Sequence, residues 1–200
     1  MKKKIGIDLD KTLFSCNSII YRWMNTFNFN RGKILNYHVI TDEKIYKCSV
    51  INKIFKFLNP NEYTFYTNAV KTINELSQRG YEIYFVSNRP CFKSVVAMTV
   101  DVLKRSGVKY DKLILGCNNK VDFVKFARLD YFIDDIEMTC KSVQKETSAI
   151  PILFSPIVKK NGKRLKKGNL STFQSWRKIR DFFAKERKDE SQNDQKILQY

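Results

Sequence analysis

The sequence has a single histidine, His38, and its five cysteines, Cys16, Cys48, Cys91, Cys117 and Cys140, stand apart with no CxxC pair among them. That excludes the usual zinc ligand sets and a disulfide framework, which need thiols or imidazoles at short, paired spacings. Scattered thiols in odd number fit a reducing compartment, so a cytoplasmic location is expected. No apolar run approaches the ~20 residues that a bilayer span requires, and no membrane partner is expected. The opening MKKKIGID has the basic head of a signal peptide without its apolar core or small-residue cleavage site. Internal repeats are absent. Acidic residues are in deficit, 20 against 37 lysines and arginines, for a net charge of +17. Such an excess suits a phosphate-bearing partner, nucleotide or nucleic acid. Lysine-rich residue usage alone gives the same sum, so the location of the charges matters more than their total.

What is present is an alternating pattern. At 200 residues the chain is expected to form one domain, or one with a small insertion. Residues 4–9 form a short apolar run, and YEIYFV (81–86), KLILG (112–116), DYFID (130–134) and AIPILF (149–154) repeat it at strand length. Between them NAVKTINELSQRG places Val70, Ile73 and Leu76 on one helical face and stops at Gly80. FKSVVAMTVDVLKRSG repeats that pattern to Gly107, KVDFVKFARL and MTCKSVQKET supply two further helices, and another is expected over 172–184. Strand and helix in alternation predict an α/β fold, a parallel sheet with helices on both faces.

One interval breaks the alternation. Residues 14–63 are too many for an ordinary loop, and SIIYRWMNTFNFN and IYKCSVINKIFKFL within them are rich in aromatic and aliphatic residues. They predict a small helical cap inserted after the first strand, with residues 1–13 and 64–184 as the core and 185–200 as a polar tail. Most of the cap's aromatics, among them Tyr21, Trp23 and Phe27, are expected to pack its own interior.

In a parallel sheet the strands end on one edge, where ligands bind. The strand exits here carry Asp8 and Asp10, Ser87-Asn88-Arg89, Asn118-Asn119-Lys120 and Asp134-Asp135. Several carboxylates brought together repel unless a cation sits among them. Magnesium suits the set, since it takes oxygen ligands and keeps positions for water and substrate phosphate. Lys120 and Ser87 would then face phosphate oxygens, the electrostatic work that phosphoryl transfer demands. Plainer roles stay open at this stage. Asp134-Asp135 could cap a helix, Lys125 could serve in place of Lys120, and Arg89 could bridge to a cap carboxylate.

The sequence Asp8-Leu9-Asp10-Lys11-Thr12, then Ser87, Lys120 and the Asp134-Asp135 pair, in that order and each at a strand exit, resembles the four motifs of the haloacid dehalogenase-like (HAD) superfamily of phosphohydrolases. The resemblance spans residues 4–184 and implies a Rossmann-like HAD core. It implies Asp8 as nucleophile and Asp10 as acid and base. Mg2+ would be held by Asp8, the Asp10 backbone carbonyl, Asp134 and Asp135, with Ser87, Asn88 and Lys120 on the phosphate. Cap length, YEIYFVSNRP, and IPILFSP followed by STFQSWRKIRDFF further resemble the 5'(3')-deoxyribonucleotidases and related bacterial nucleotidases. Nucleoside monophosphates are the substrates this implies. Arg89 is a candidate substrate-binding residue, and Phe14, the cap aromatic nearest the first motif, is the candidate to stack on a base. Two positions depart from the pattern: Lys11 stands where the family often has glycine, and Ser87-Asn88-Arg89-Pro90 replaces the commoner Thr-Ala-Arg-Pro or Thr-Ser-Arg-Pro.

KKNGKRLKKG (159–168) follows the last apolar strand with six cations in ten residues. A loop of that charge at the active edge would attract a polyanion, which keeps a phosphorylated DNA or RNA end as an alternative substrate. A nucleic-acid-binding module on an inactive phosphatase scaffold is a third reading, and a homodimer is compatible with all three.

Overall fold

The computed structural model describes residues 2–16, 38–39, 63–89, 91, 93–156 and 170–197. The strands are β1 (Lys4–Ile7), β2 (Phe14–Cys16), β3 (His38–Val39), β4 (Tyr63–Phe65), β5 (Glu82–Val86), β6 (Lys112–Leu115), β7 (Tyr131–Asp134), β8 (Ile150–Phe154) and β9 (Ser171–Phe173). The helices are α1 (Ala69–Gln78), α2 (Lys93–Ser106), α3 (Lys120–Ala127), α4 (Glu137–Glu146) and α5 (Trp176–Ile197). One sheet has the order β3-β6-β5-β1-β7-β8-β9. Six of its strands run parallel, and β3 pairs antiparallel with β6 at one edge.

The central strands are almost continuously apolar because both faces of the sheet are covered. Period-two alternation sends successive residues to opposite sides. Ile5, Ile7, Phe85 and Ile133 pack with Ile73 of α1, Leu103 of α2 and Trp176, Ile179 and Phe183 of α5. Val86, Ile114 and Phe132 pack on the other side with Phe123 and Val124 of α3 and Val143 of α4. The expected two-faced architecture is therefore present. Gly6 lies where a Cβ would come within 2.6 Å of Leu129 and 2.7 Å of Phe132, so the middle of β1 has no room for a side chain. Gly80 and Gly107 follow α1 and α2 at positive φ, 91° and 69°, the left-handed stop expected of both.

Three features differ from the sequence reading. Phe14–Cys16 and Tyr63–Phe65 pair antiparallel as a separate two-stranded ribbon, so both described ends of the insertion are extended rather than helical. His38–Val39 also lies inside the expected helical cap, yet it adds an edge strand to the main sheet. Residues 17–37 and 40–62, the rest of the expected cap, fall outside the described residues, as does the basic loop 159–168. Finally, Ser171–Phe173 is a strand and α5 runs from Trp176 to Ile197, through most of the expected polar tail. The polar composition that suggested a tail contains no proline or glycine from 176 to 197, and its lysines, arginines, glutamates and glutamines are good helix formers. Among the described residues no helix is long and apolar enough to cross a membrane.

Candidate active site

Strand register brings the site together. Ile7 of β1 is level with Phe85 of β5 and with Ile133 of β7, so Asp8 and Asp134 emerge side by side at the carboxyl edge. The Asp8 amide donates to the Ile133 carbonyl at 2.9 Å. Ser87 emerges next to them, its amide donating to the Ile114 carbonyl of β6 at 2.9 Å. The Ser87 carbonyl accepts from the Cys117 amide and the Arg89 carbonyl from the Gly116 amide, so the loops after β5 and β6 are stitched to each other.

After Asp8 the chain turns sharply. The amides of Leu13 and Phe14 both donate to the Leu9 carbonyl, and the Lys11 amide donates to the Phe14 carbonyl at 2.8 Å. Lys11 sits at φ 63°, left-handed backbone that a glycine would adopt without cost. The lysine side chain is exposed. Thr12 is buried, donating from Oγ1 to Asp8 Oδ2 at 3.4 Å, and its carbonyl accepts from the Trp176 indole at 2.9 Å.

Lys120 begins α3 beneath this turn and is buried. Its Nζ donates to Asp8 Oδ1 at 2.7 Å and to Asp134 Oδ2 at 2.8 Å. Burial alone would lower its pKa, but the two carboxylates outweigh that and raise it, so the lysine is a fixed cation. Lys125, the alternative in the sequence, pairs instead with Glu146 at 3.3 Å on the solvent side of α3 and α4. Asp134 has no exposed surface. Its Oδ1 accepts from the Ile136 amide at 2.7 Å, a local turn bond, while Oδ2 faces Lys120. The N-cap of α4 is Ile136, with no side-chain cap bond, so Asp134 does not cap that helix.

Asp8, Asp134 and Asp135 each offer a ligand atom within 4.8 Å of the others. The cluster strains its own protonation states. Burial, with Asp134 and Asp10 adding to it against Lys120, pushes the Asp8 carboxyl up to about 8. Burial and Asp134, against Lys120 and Lys11, push Asp135 up to about 6. Carboxylates that resist ionisation in each other's company, made only of hard oxygen donors, fit a divalent cation such as Mg2+.

Not every expected residue joins this cluster. The Asp10 side chain turns away to Arg89, which donates to both its oxygens, from Nε at 2.8 Å and from Nη2 at 2.6 Å. Arg89 is therefore buried with its guanidinium on Asp10, while the cap carboxylates it was expected to reach lie outside the described residues. Phe14 likewise has no exposed surface. Its ring meets Tyr63 and Phe65 edge-on at 5.0 and 5.3 Å, so it packs the root of the insertion and offers no face to a base. Ser87 is buried at the β5 exit, its Oγ accepting from the Arg89 amide at 3.2 Å, and Asn88 beside it is exposed. The sequence reading assigned no role to Thr12, Thr99 or Trp176. Thr99 accepts from Arg89 Nη1 at 2.9 Å, a contact between two helix-and-loop segments that no local pattern announces.

No family model matches the chain. A Bacillus subtilis (strain 168) protein named "Putative nucleotidase YqfW" is 23% identical over 161 residues, covering 76% of this chain and 80% of that protein. The crystal structure of a HAD phosphatase from Thermococcus onnurineus superposes with a TM-score of 0.56 at 12% identity, over 92% of this chain and 98% of that one. A D,D-heptose 1,7-bisphosphate phosphatase from B. bronchiseptica, complexed with magnesium and phosphate, superposes with a TM-score of 0.53 at 12% identity, over 92% and 99%. The chain has the HAD-like α/β fold that the resemblance implied.

Proposed function

We propose that this protein is a Mg2+-dependent phosphomonoesterase that hydrolyses nucleoside monophosphates by way of a phosphoryl group carried on Asp8. The observation that carries the reading is the placement of Lys120 between Asp8 and Asp134, with Asp135 completing an oxygen cluster at the edge of a parallel sheet. An inactive binding scaffold would have no use for that set of buried charges, which are costly to hold without a catalytic return.

Bound among Asp8, Asp134 and Asp135, Mg2+ would neutralise the carboxylates and draw charge from a phosphate oxygen. The chain's own residues do the rest. An Asp8 oxygen attacks phosphorus as the bond from phosphorus to the leaving oxygen breaks, and Asp10 gives that oxygen its proton. Water then attacks the aspartyl-phosphate, Asp10 takes the proton back, and inorganic phosphate leaves with Asp8 restored. Lys120 keeps Asp8 oriented through both steps and meets the negative charge of the transferring group. Ser87 and Asn88, at the adjoining strand exit, are the groups proposed for the remaining phosphate oxygens.

The nucleotide assignment draws support from the name of the B. subtilis relative and from the net charge of +17. A panel of nucleoside monophosphates, sugar phosphates and phosphorylated oligonucleotides, assayed with Mg2+ and with a chelator, tests it. Release of phosphate from dUMP or dTMP that requires Mg2+ is the expected result. A strong preference for the oligonucleotides would move the substrate class to polynucleotide ends, and no hydrolysis of any ester would remove the enzymatic reading.

A further inference from the structure

Among the described residues, the mechanism leaves the buried charge of Arg89 without a task. Arg89 holds both oxygens of Asp10 in a two-point fork, and both side chains are almost wholly buried. The guanidinium is itself held from other directions. Its Nη1 donates to Thr99 Oγ1 at 2.9 Å, and Thr99 donates in turn to the Val95 carbonyl within α2. Its central carbon lies 5.0 Å from the Phe14 ring centroid and 4.9 Å from that of Tyr63, cation and aromatic faces in contact. Phe14 and Tyr63 belong to β2 and β4, the paired strands at the two ends of the inserted segment. Arg89 thus touches the proton-transfer carboxylate, a core helix and the root of the insertion at once.

From this geometry, and resting on the phosphomonoesterase reading above, we infer that Arg89 is a positioning residue that fixes the Asp10 side chain for proton transfer to the leaving oxygen. It also ties that orientation to the β2–β4 ribbon. A carboxylate at the start of an open turn samples several rotamers, whereas proton transfer needs it within hydrogen-bond reach of one oxygen. A planar fork on both oxygens removes that freedom and leaves each oxygen a second lone-pair direction for the proton. The proton moves only between Asp10 and the leaving oxygen, and later from water to Asp10. Arg89 exchanges none and meets the negative charge that Asp10 acquires as its proton departs. Lysine would supply the charge without the fork.

The test compares two leaving groups. A nucleoside monophosphate needs its leaving oxygen protonated, whereas p-nitrophenyl phosphate releases a stable phenolate and does not. Arg89→Gln is expected to lower kcat/KM about 100-fold on the nucleotide and less than about tenfold on p-nitrophenyl phosphate, the difference being the size of a general-acid contribution. Added to Asp10→Asn, the same change is expected to have less than about a twofold further effect, because both act through one group. Arg89→Lys restores only part of the nucleotide rate. Thr99→Val, which loosens the guanidinium without removing it, is expected to show the same leaving-group bias at smaller amplitude, and it serves should Arg89→Gln fail to fold. Equal losses on both substrates, additivity with Asp10→Asn, or an unchanged substrate ratio in Thr99→Val would each overturn the inference while leaving the phosphomonoesterase standing. A wild-type protein inactive on every phosphomonoester would overturn both.

Discussion

The Trp176 indole donates from Nε1 to the Thr12 carbonyl at 2.9 Å across 164 residues of sequence, pinning the first turn of α5 to the turn that carries Asp8 and Asp10. Trp176 is fully buried, packs on Phe154, and returns a carbonyl to the Thr72 hydroxyl of α1. The last helix thereby closes over the first strand's exit and holds its shape.

Trp176→Phe keeps most of the apolar volume and removes the donor. An unsatisfied buried carbonyl costs about 1–3 kcal/mol, so thermal denaturation should show a drop of several degrees in Tm. Turnover should fall with it, because the turn bearing Asp8 and Asp10 loosens. An unchanged Tm and kcat would mean that the turn holds itself.

Lys120 and Lys125 should separate cleanly. Lys120→Met leaves Asp8 and Asp134 buried without their cation, and loss of one such electrostatic partner is expected to lower kcat by about 100-fold or more. Lys125→Met breaks only an exposed pair with Glu146, worth at most about 1 kcal/mol, and phosphatase assays should find its activity within about twofold of wild type. Equal losses in the two variants would contradict the assignment.

Much of this was legible in the sequence, and the reasons are local. Apolar runs of four to six residues located β1, β5, β6, β7 and β8, because strands buried on both faces carry side chains of one kind. Acidic, amide and lysine residues just beyond those runs located Asp8, Ser87, Lys120 and Asp134, because a parallel sheet delivers its strand ends to one edge. Relations that depend on packing between distant segments were not legible. Nothing near Arg89 indicates that its partners include Asp10, Thr99 and the rings of Phe14 and Tyr63. Phe14 follows the first motif closely enough to suggest a ligand contact, and only its pairing with Tyr63–Phe65 shows that it is enclosed. Helix α5 was missed beyond residue 184 because a strongly polar helix and a polar tail share one composition.

Magnesium should stabilise the protein more as pH rises. In the metal-free protein Asp8 and Asp135 are pushed above their ordinary 3.8, to about 8 and about 6. The folded state then holds protons that the unfolded chain gives up, so metal-free stability is greatest in acid and falls as pH rises through this range. Mg2+ requires the ionised carboxylates and competes with those protons. At a concentration about 100-fold above its Kd it adds about 2.7 kcal/mol. Thermal melts from pH 5 to pH 8 should show little effect of Mg2+ at the acid end and an increase of several degrees at the alkaline end. A shift independent of pH, or one retained in Asp134→Asn, would argue against this carboxylate cluster as the site.

The direct test of the whole account is the fate of the phosphoryl group. After acid quenching of the enzyme during turnover of a radiolabelled phosphomonoester with Mg2+, peptide mapping should place the label on Asp8. The labelled species should be absent from Asp8→Asn, which should fold as the wild type does and turn over no substrate. Label on another residue, or full turnover by Asp8→Asn, would contradict it.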